Sequence, residues 1–575
     1  MVDTEALPAS GLLCTRCQDS LGIFRCDHCT GQALWCGPCC LTVNRTSPFH
    51  HPKKWNGKFF EKVDLDKIGL TIFFGHRGEP CPSLRASESV QDNLDNDNAI
   101  EDDGDEAWED EIQTGFIGDR LRFVHTTGIF VRRVGWCCCS DEGGDTLPHD
   151  LQLLDAKMYP ASSNKPSTAF TFNVLDDFAL DSLECKTAAL TFLTKLRRMT
   201  NSAFPLSTPN VYAAFMRCSR QFRNLKNMLR GGLAHEPDRT RAPGDLAMFC
   251  VMCPQIRKNV SLEEYEKADD RTLYGPQVVT DGNFKLDNLK MRNPQDDVRL
   301  SDGQMFCVKS APYEDHLRIT PQRKQRSGSN DHQAVNETNV KRKDVDTTGI
   351  GACACARHGC FYPHSAVGFK AGERQSNMDY SASEVIRQIP DSIKELLFIY
   401  DVVCQWVVYW ADRFQTGKYL HVHYRDDLKL TAAVGKFHLG AHIMDCFWKY
   451  SLNFIQGAGE VDGEILETLW APLDKLVGST RNMSRAHRQE IIDEHMNDSN
   501  WKKMCGAVAS LITKMDRARE GLQTVQEAFD QLSSHIGEHY TGQWEQEEQE
   551  AFQPGGIGTE IYKAEAAKGI FSLSS

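Results

Sequence analysis

The chain has 575 residues, 41% hydrophobic and 25% charged, enough for roughly two to four structural units and unlike the composition of a membrane-embedded or disordered protein. A formal net charge of -14 excludes a uniformly basic nucleic-acid binder. No stretch approaches the roughly 18 to 20 apolar residues of a bilayer span, and the start MVDTEALPASGLL lacks the basic-then-apolar pattern of a secretion signal. A reducing compartment and no membrane partner are therefore expected, and seven of the 22 cysteines, clustered in paired spacing between Cys14 and Cys40, read as zinc thiolates rather than disulfides.

Residues 1–85 form a cysteine-rich unit. Cys14-x2-Cys17, Cys26-x2-Cys29 and Cys36-x2-Cys39 are three successive knuckles, followed by Cys40, His50 and His51 at the distance of a two-zinc cross-braced module. A C-x2-C turn presents two thiolates to one tetrahedral ion at low strain, and in a unit this small the metal replaces the missing core. The spacing does not fix which knuckle pairs with which. Residues 86–115 read as an acidic linker: eleven acids fall between Asp92 and Glu111, and the rest of the chain is near neutral.

Residues 116–268 are predicted to be mostly helical, since apolar residues recur at three- and four-residue steps through ALTFLTKLRRM and VYAAFMRCSRQFRNLKNMLRGG. On the second of these helices Arg217, Arg220, Arg223, Lys226 and Arg230 form either a DNA-phosphate stripe or a solvated face. Residues 269–480 alternate short apolar runs such as ELLFIYDVVCQW with helical patterns, a mixed α/β region. Two basic runs, Arg323 to Arg326 and Lys341 to Lys343, are candidates for nuclear import or DNA-backbone contact. His438 and His442 share a helical face, which suits metal, phosphate or a structural role. Residues 481–575 read as a polar helical tail, partly disordered.

The segments CDHC, WCGPCC, PFHHPKKWNGKFF and FFGHRGEPCP resemble the CxC2-like cysteine cluster attached to Kyakuja-Dileera-Zisupton (KDZ) transposases. Asn44 stands where that cluster has a histidine, and His51 is the candidate substitute. The resemblance continues in family order through TAFTFNVLDDF, LKNMLRGG, PGDLAMFCVMCP, TDGNFKL, CARHGC, AGERQSNMDY, IYDVVCQW, GKFHLGAH and VDGEILETLW, and the pattern is left after Trp501. It implies an α/β, RNase H-like core with helical insertions. It also implies an acidic DDE triad that cuts and joins DNA strands in the nucleus, in a homo-oligomer assembled on transposon ends. Carried onto this sequence, the triad is Asp281, Asp401 and Glu464, with Glu467 the alternative third member. The family's paired cysteine positions further imply one zinc site from Cys137 and Cys139 with Cys250 and Cys253, Cys138 pointing away. Cys353, Cys355, His358 and Cys360 are left unassigned.

The chemistry implied is consistent with these residue types. Strand transfer needs an activated oxygen nucleophile and a stabilised leaving oxygen, which two Mg2+ or Mn2+ ions supply, and such hard cations prefer an open cradle of carboxylate oxygens. A catalytically lapsed, transposase-derived factor that binds DNA or protein through its zinc module is the competing expectation.

Overall fold

The computed structural model describes residues 5–8, 11–83, 119–140, 144–236, 238–268, 270–321, 344–370, 372–553 and 556–563. The acidic linker, both basic runs and the last twelve residues lie outside them. The chain divides into two compact units, Met1–Lys226 and Asn227–Ser575. No helix among the described residues is long and apolar enough to cross a membrane.

In the first unit, strands β1 (Phe24–Cys26), β2 (Pro52–Trp55) and β3 (Phe60–Lys62) form an antiparallel sheet beside the helix Gly37–Asn44. A second sheet has the order β4-β6-β5-β8-β7, built from β4 (Thr71–Phe73), β5 (Asp119–His125), β6 (Gly128–Gly135), β7 (Met158–Pro160) and β8 (Thr168–Thr171). β4 runs parallel to β6, so residues on both sides of the acidic segment share one sheet. The expected boundary at residue 85 therefore falls inside a structural unit. Three residues of Thr-Ile-Phe are too short to reveal a strand by periodicity. The region expected to be mostly helical likewise begins with the β5–β6 hairpin. Its helices, Phe172–Cys185, Ala189–Thr200 and Tyr212–Arg230, pack Phe178, Phe192, Leu196 and Phe215 against Val124, Ile129 and Phe170 of the sheet.

The second unit is built on a five-stranded sheet of order β13-β12-β9-β14-β15, comprising β9 (Gln277–Asn283), β12 (Gly349–Cys355), β13 (Val367–Phe369), β14 (Glu395–Tyr400) and β15 (Lys429–Ala433). A small ribbon, β10 (Asn288–Leu289) with β11 (Val345–Thr347), lies outside it. β12 runs antiparallel to both β13 and β9, whereas β14 and β15 run parallel to β9. Because strand side chains alternate between faces, the apolar run of β14 serves two cores. Leu397 and Ile399 join one with the helices Ile465–Asp474 and Arg485–Cys505, and Leu396, Phe398 and Tyr400 join the other with the helix Gln375–Ile386. The result is a helix–sheet–helix sandwich.

The helix Arg485–Cys505 departs from the expected tail. Its sequence is polar, yet twelve of its residues are buried, because its polar side chains satisfy core backbone. Asp493 accepts from the Phe306 and Cys307 N–H groups at 3.0 and 2.7 Å, and Asn500 brackets the Phe361 peptide. The domain edge drawn at residue 480 therefore cuts a helix off its own core. The following helices, Ala507–Ile536 and Glu538–Ala551, match the polar helical reading.

Candidate active site

β9 and β14 are parallel neighbours with Thr280 paired to Tyr400. The next residue on each chain is an aspartate, so Asp281 and Asp401 emerge side by side at the same sheet edge. Glu464 caps the start of the helix Ile465–Asp474, and Glu467 lies in its first turn. His438, on the short helix Lys436–Leu439, gathers them: its Nε2 lies 3.3 Å from Asp401, 3.4 Å from Glu464 and 3.5 Å from Glu467. Glu464 is further fixed by the Phe437 N–H, which donates to its Oε1 at 3.1 Å. Asp281 accepts the Trp470 indole N–H at 2.9 Å. Asp401 and both candidate glutamates thus converge on one imidazole, and Asp281 lies near enough to feel its charge.

A fifth acid was not anticipated. Glu373, from AGERQSNMDY, is buried and accepts the Tyr400 hydroxyl at 2.6 Å. It packs so closely on Gly282 that a Cβ there would come within 2.4 Å of its Oε2. Its buried position beside a sheet-edge aspartate is not encoded in local sequence pattern.

Burial, then the neighbouring charges, governs the electrostatics. Burial pushes Asp401 up to about 7 and Asp281 upward, and burial with the nearby Asp281 pushes Glu373 up to about 8. His438 moves to about 9, chiefly through its hydrogen bond with Glu464, so it is a cation at neutral pH. One imidazolium contacts three carboxyl groups, and Asp281 and Glu373 stand beside Asp401. Hard oxygen donors with unbalanced negative charge fit a divalent cation of the magnesium type.

The cysteine clusters have the size of tetrahedral zinc shells. Zn–S bonds of about 2.3 Å and Zn–N bonds of about 2.0–2.1 Å set ligand–ligand edges near 3.4–3.8 Å. The first knuckle joins the third in Cys14, Cys17, Cys36 and Cys39, with Cys17 and Cys36 sulfurs 3.8 Å apart. The second knuckle joins His50 in Cys26, Cys29 and His50, with Cys29 to His50 Nδ1 at 3.4 Å. That interleaving is a cross-brace. Cys40 is buried beside the second cluster, where burial and the Cys26 thiol push it up to about 11. Asn44 holds Cys40 through its carbonyl at 2.8 Å. His51 does not join: its Nε2 faces the Thr127 carbonyl at 2.9 Å and its ring stacks near Phe130, because the hairpin between β5 and β6 has captured it.

The expected union of Cys137 and Cys139 with Cys250 and Cys253 is not formed, since each pair is completed within its own unit. Cys137 and Cys139 both lie 3.3 Å from His76 Nε2, and Cys81 closes the set 3.6 Å from Cys139. Cys138 is exposed, as expected. Cys250 and Cys253 meet Cys355 and His358, with sulfur-to-ring distances of 3.4–3.5 Å. Hydrogen bonds from Cys253, Cys355 and Cys360 pull Cys250 below the usual thiol range. The regular Cys355-x2-His358 step was the available signal for these missed ligands, and FFGHRGEPCP contained His76 and Cys81.

The basic stripe is not an open row of cations. Arg217 donates to the Ala161 carbonyl, Lys226 pairs with Asp176, Arg230 pairs with Glu494, and Arg223 is buried. Arg217 and Arg230 nevertheless remain exposed, so the helix keeps part of a positive face.

Residues 274–500 match a family model described as Kyakuja-Dileera-Zisupton transposase. Residues 111–203 match the CxC2-like cysteine cluster associated with KDZ transposases. That cluster is therefore not the first 85 residues, to which the resemblance had assigned it, but the region holding Cys137 and Cys139. No curated protein and no solved structure matches the chain significantly.

Proposed function

From the match of residues 274–500 to the KDZ transposase model, we propose that the chain cuts and joins DNA strands with divalent metal at Asp281, Asp401 and Glu464. The carrying observation is that Asp281 and Asp401 stand side by side on adjacent parallel chain segments, with His438 joining Asp401 to the helix-borne Glu464. The strand order, three antiparallel strands followed by two parallel ones, supports an RNase H-like reading of the core. Glu464 is preferred to Glu467 as third member because it is the less exposed and is held by backbone.

When bound, Mg2+ or Mn2+ supplies an activated oxygen nucleophile and stabilisation of the leaving oxygen. The chain's own residues hold the carboxylates in place: Trp470 orients Asp281, the Phe437 N–H orients Glu464, and the Tyr400 hydroxyl fixes Glu373 beneath them. Zinc at the four Cys/His clusters is structural in this reading, and the site of action is nuclear DNA.

Assembly as a homo-oligomer is supported by the helix Ala507–Ile536. Its Leu511, Met515, Leu522, Val525, Phe529 and Leu532 are exposed and fall on the a and d positions of a heptad repeat, the pattern of a coiled-coil seam. Light scattering should give the mass of an oligomer that Leu522→Glu with Phe529→Glu reduces to a monomer. A monomeric wild type, with and without DNA, removes this part of the proposal.

The test of the whole is nicking and strand transfer on DNA carrying the flanking ends of the gene, with Mg2+ or Mn2+. Products present in wild type and absent in Asp281→Ala and Asp401→Ala are expected. A folded, zinc-loaded, DNA-binding wild type that cuts nothing overturns the enzyme reading in favour of a lapsed, DNA-binding derivative.

A further inference from the structure

Another group of soft ligands stands apart from the four clusters already described and from the carboxylates. Cys404 Sγ lies 3.6 Å from His442 Nδ1, and the Cys446 sulfur lies within 4.8 Å of both. Cys446 is buried, while Cys404 and His442 are half-buried. They come from two separate stretches of chain. Cys404 is on the short helix Val403–Trp406, His442 follows the helix Lys436–Leu439, and Cys446 is on the helix Met444–Tyr450.

We infer that Cys404, His442 and Cys446 bind one zinc ion, with a water molecule completing the tetrahedron. A 3.6 Å sulfur-to-nitrogen edge is the separation that Zn–S of about 2.3 Å and Zn–N of about 2.0–2.1 Å produce at a tetrahedral angle. A simple S–H···N hydrogen bond accounts for one such pair and gives no reason for a second sulfur converging on it. Two thiolates and a neutral imidazole cancel the charge of Zn2+, which suits a half-buried position where a net charge is expensive to hold. Thiolate ligands also select zinc over the hard cation suited to the neighbouring carboxylates.

The placement links two parts of the candidate active site. Cys404 is three residues beyond Asp401 and His442 is four beyond His438, so the ion ties the segment that follows β14 to the segment that follows β15. The inference rests on ligand geometry alone and holds whether or not the protein cuts DNA.

The experiment uses the full chain purified under reducing conditions. Elemental analysis should show one zinc equivalent fewer in Cys446→Ser and in His442→Ala than in wild type, and no loss in Cys138→Ser, which alters an exposed thiol outside every cluster. Should a ligand variant fail to fold, wild type decides: Cys404 should resist alkylation while zinc is bound and become labelled once a chelator removes it. An unchanged zinc count in folded ligand variants overturns the site. So does alkylation of Cys404 at one rate before and after chelation, or a Cys404–Cys446 disulfide in the freshly purified protein.

Discussion

Trp470 donates its indole N–H to Asp281 across 2.9 Å, so a helix on one side of the sheet fixes a carboxylate of its central strand. Glu464, Glu467 and Trp470 are spaced three apart, which on a helix stacks them along one face. VDGEILETLW therefore delivers two acids and the donor that orients a third.

Replacing that donor tests the arrangement. Trp470→Phe keeps an aromatic ring against Phe361, whose centroid is 5.7 Å away, but leaves a buried carboxylate oxygen without its partner. Such a loss typically destabilises by about 1–3 kcal/mol. Urea denaturation should report that decrease, and a change below about 0.5 kcal/mol would mean that the bond contributes little.

The crowding of carboxylates predicts opposite effects with and without metal. Asp401→Asn removes one half-buried acidic group from a cluster in which acids outnumber the His438 cation, so the variant should melt higher than wild type in chelator. Wild type should gain stability when Mn2+ is added, as any ligand binding only the folded state provides, and the variant should gain much less. A variant that melts lower in chelator and responds fully to Mn2+ contradicts a metal-binding role for Asp401.

What was legible in the sequence differs by element. Asp281 and Asp401 stood out through the motifs TDGNFKL and IYDVVCQW that carry the family resemblance, and the x2 knuckles because zinc demands close ligand pairs. The partners of those ligands were less visible. His76 and Cys81 reach Cys137 and Cys139 only because β4 pairs with β6 across a long intervening segment, and such non-local pairing leaves no periodic trace. The helix Arg485–Cys505 was misread for another reason: its Asp493, Asn497 and Asn500 are buried by bonding to backbone, which hydropathy counts as exposure.

Adjacent histidines give a sharp test of the amino-terminal module. His50 faces Cys29, whereas His51 faces the Thr127 carbonyl. His50→Ala should lower the zinc content by one equivalent and loosen the small sheet around β1, because metal replaces much of the core there. His51→Ala should keep its zinc and lose only local packing. Elemental analysis of both proteins separates the two assignments, and zinc loss in His51→Ala alone would reverse them.

Asp493 supplies a pH dependence away from every candidate metal ligand. Its carboxyl is buried, and burial pushes it up to about 7 despite the N–H groups of Cys307 and Phe306 that favour its charged form. In the unfolded chain it titrates near an ordinary aspartate value of about 3.9. Between those values the folded protein keeps a proton that the unfolded protein has released, so raising the pH through this window favours unfolding, and above it the penalty stays constant. Asp493→Asn retains an oxygen for both backbone donors and cannot ionise. Its melting temperature relative to wild type should therefore rise steadily from about pH 4 to about pH 7 and then level off. A difference that stays flat across that range would show that Asp493 carries its charge in the folded protein as easily as in water.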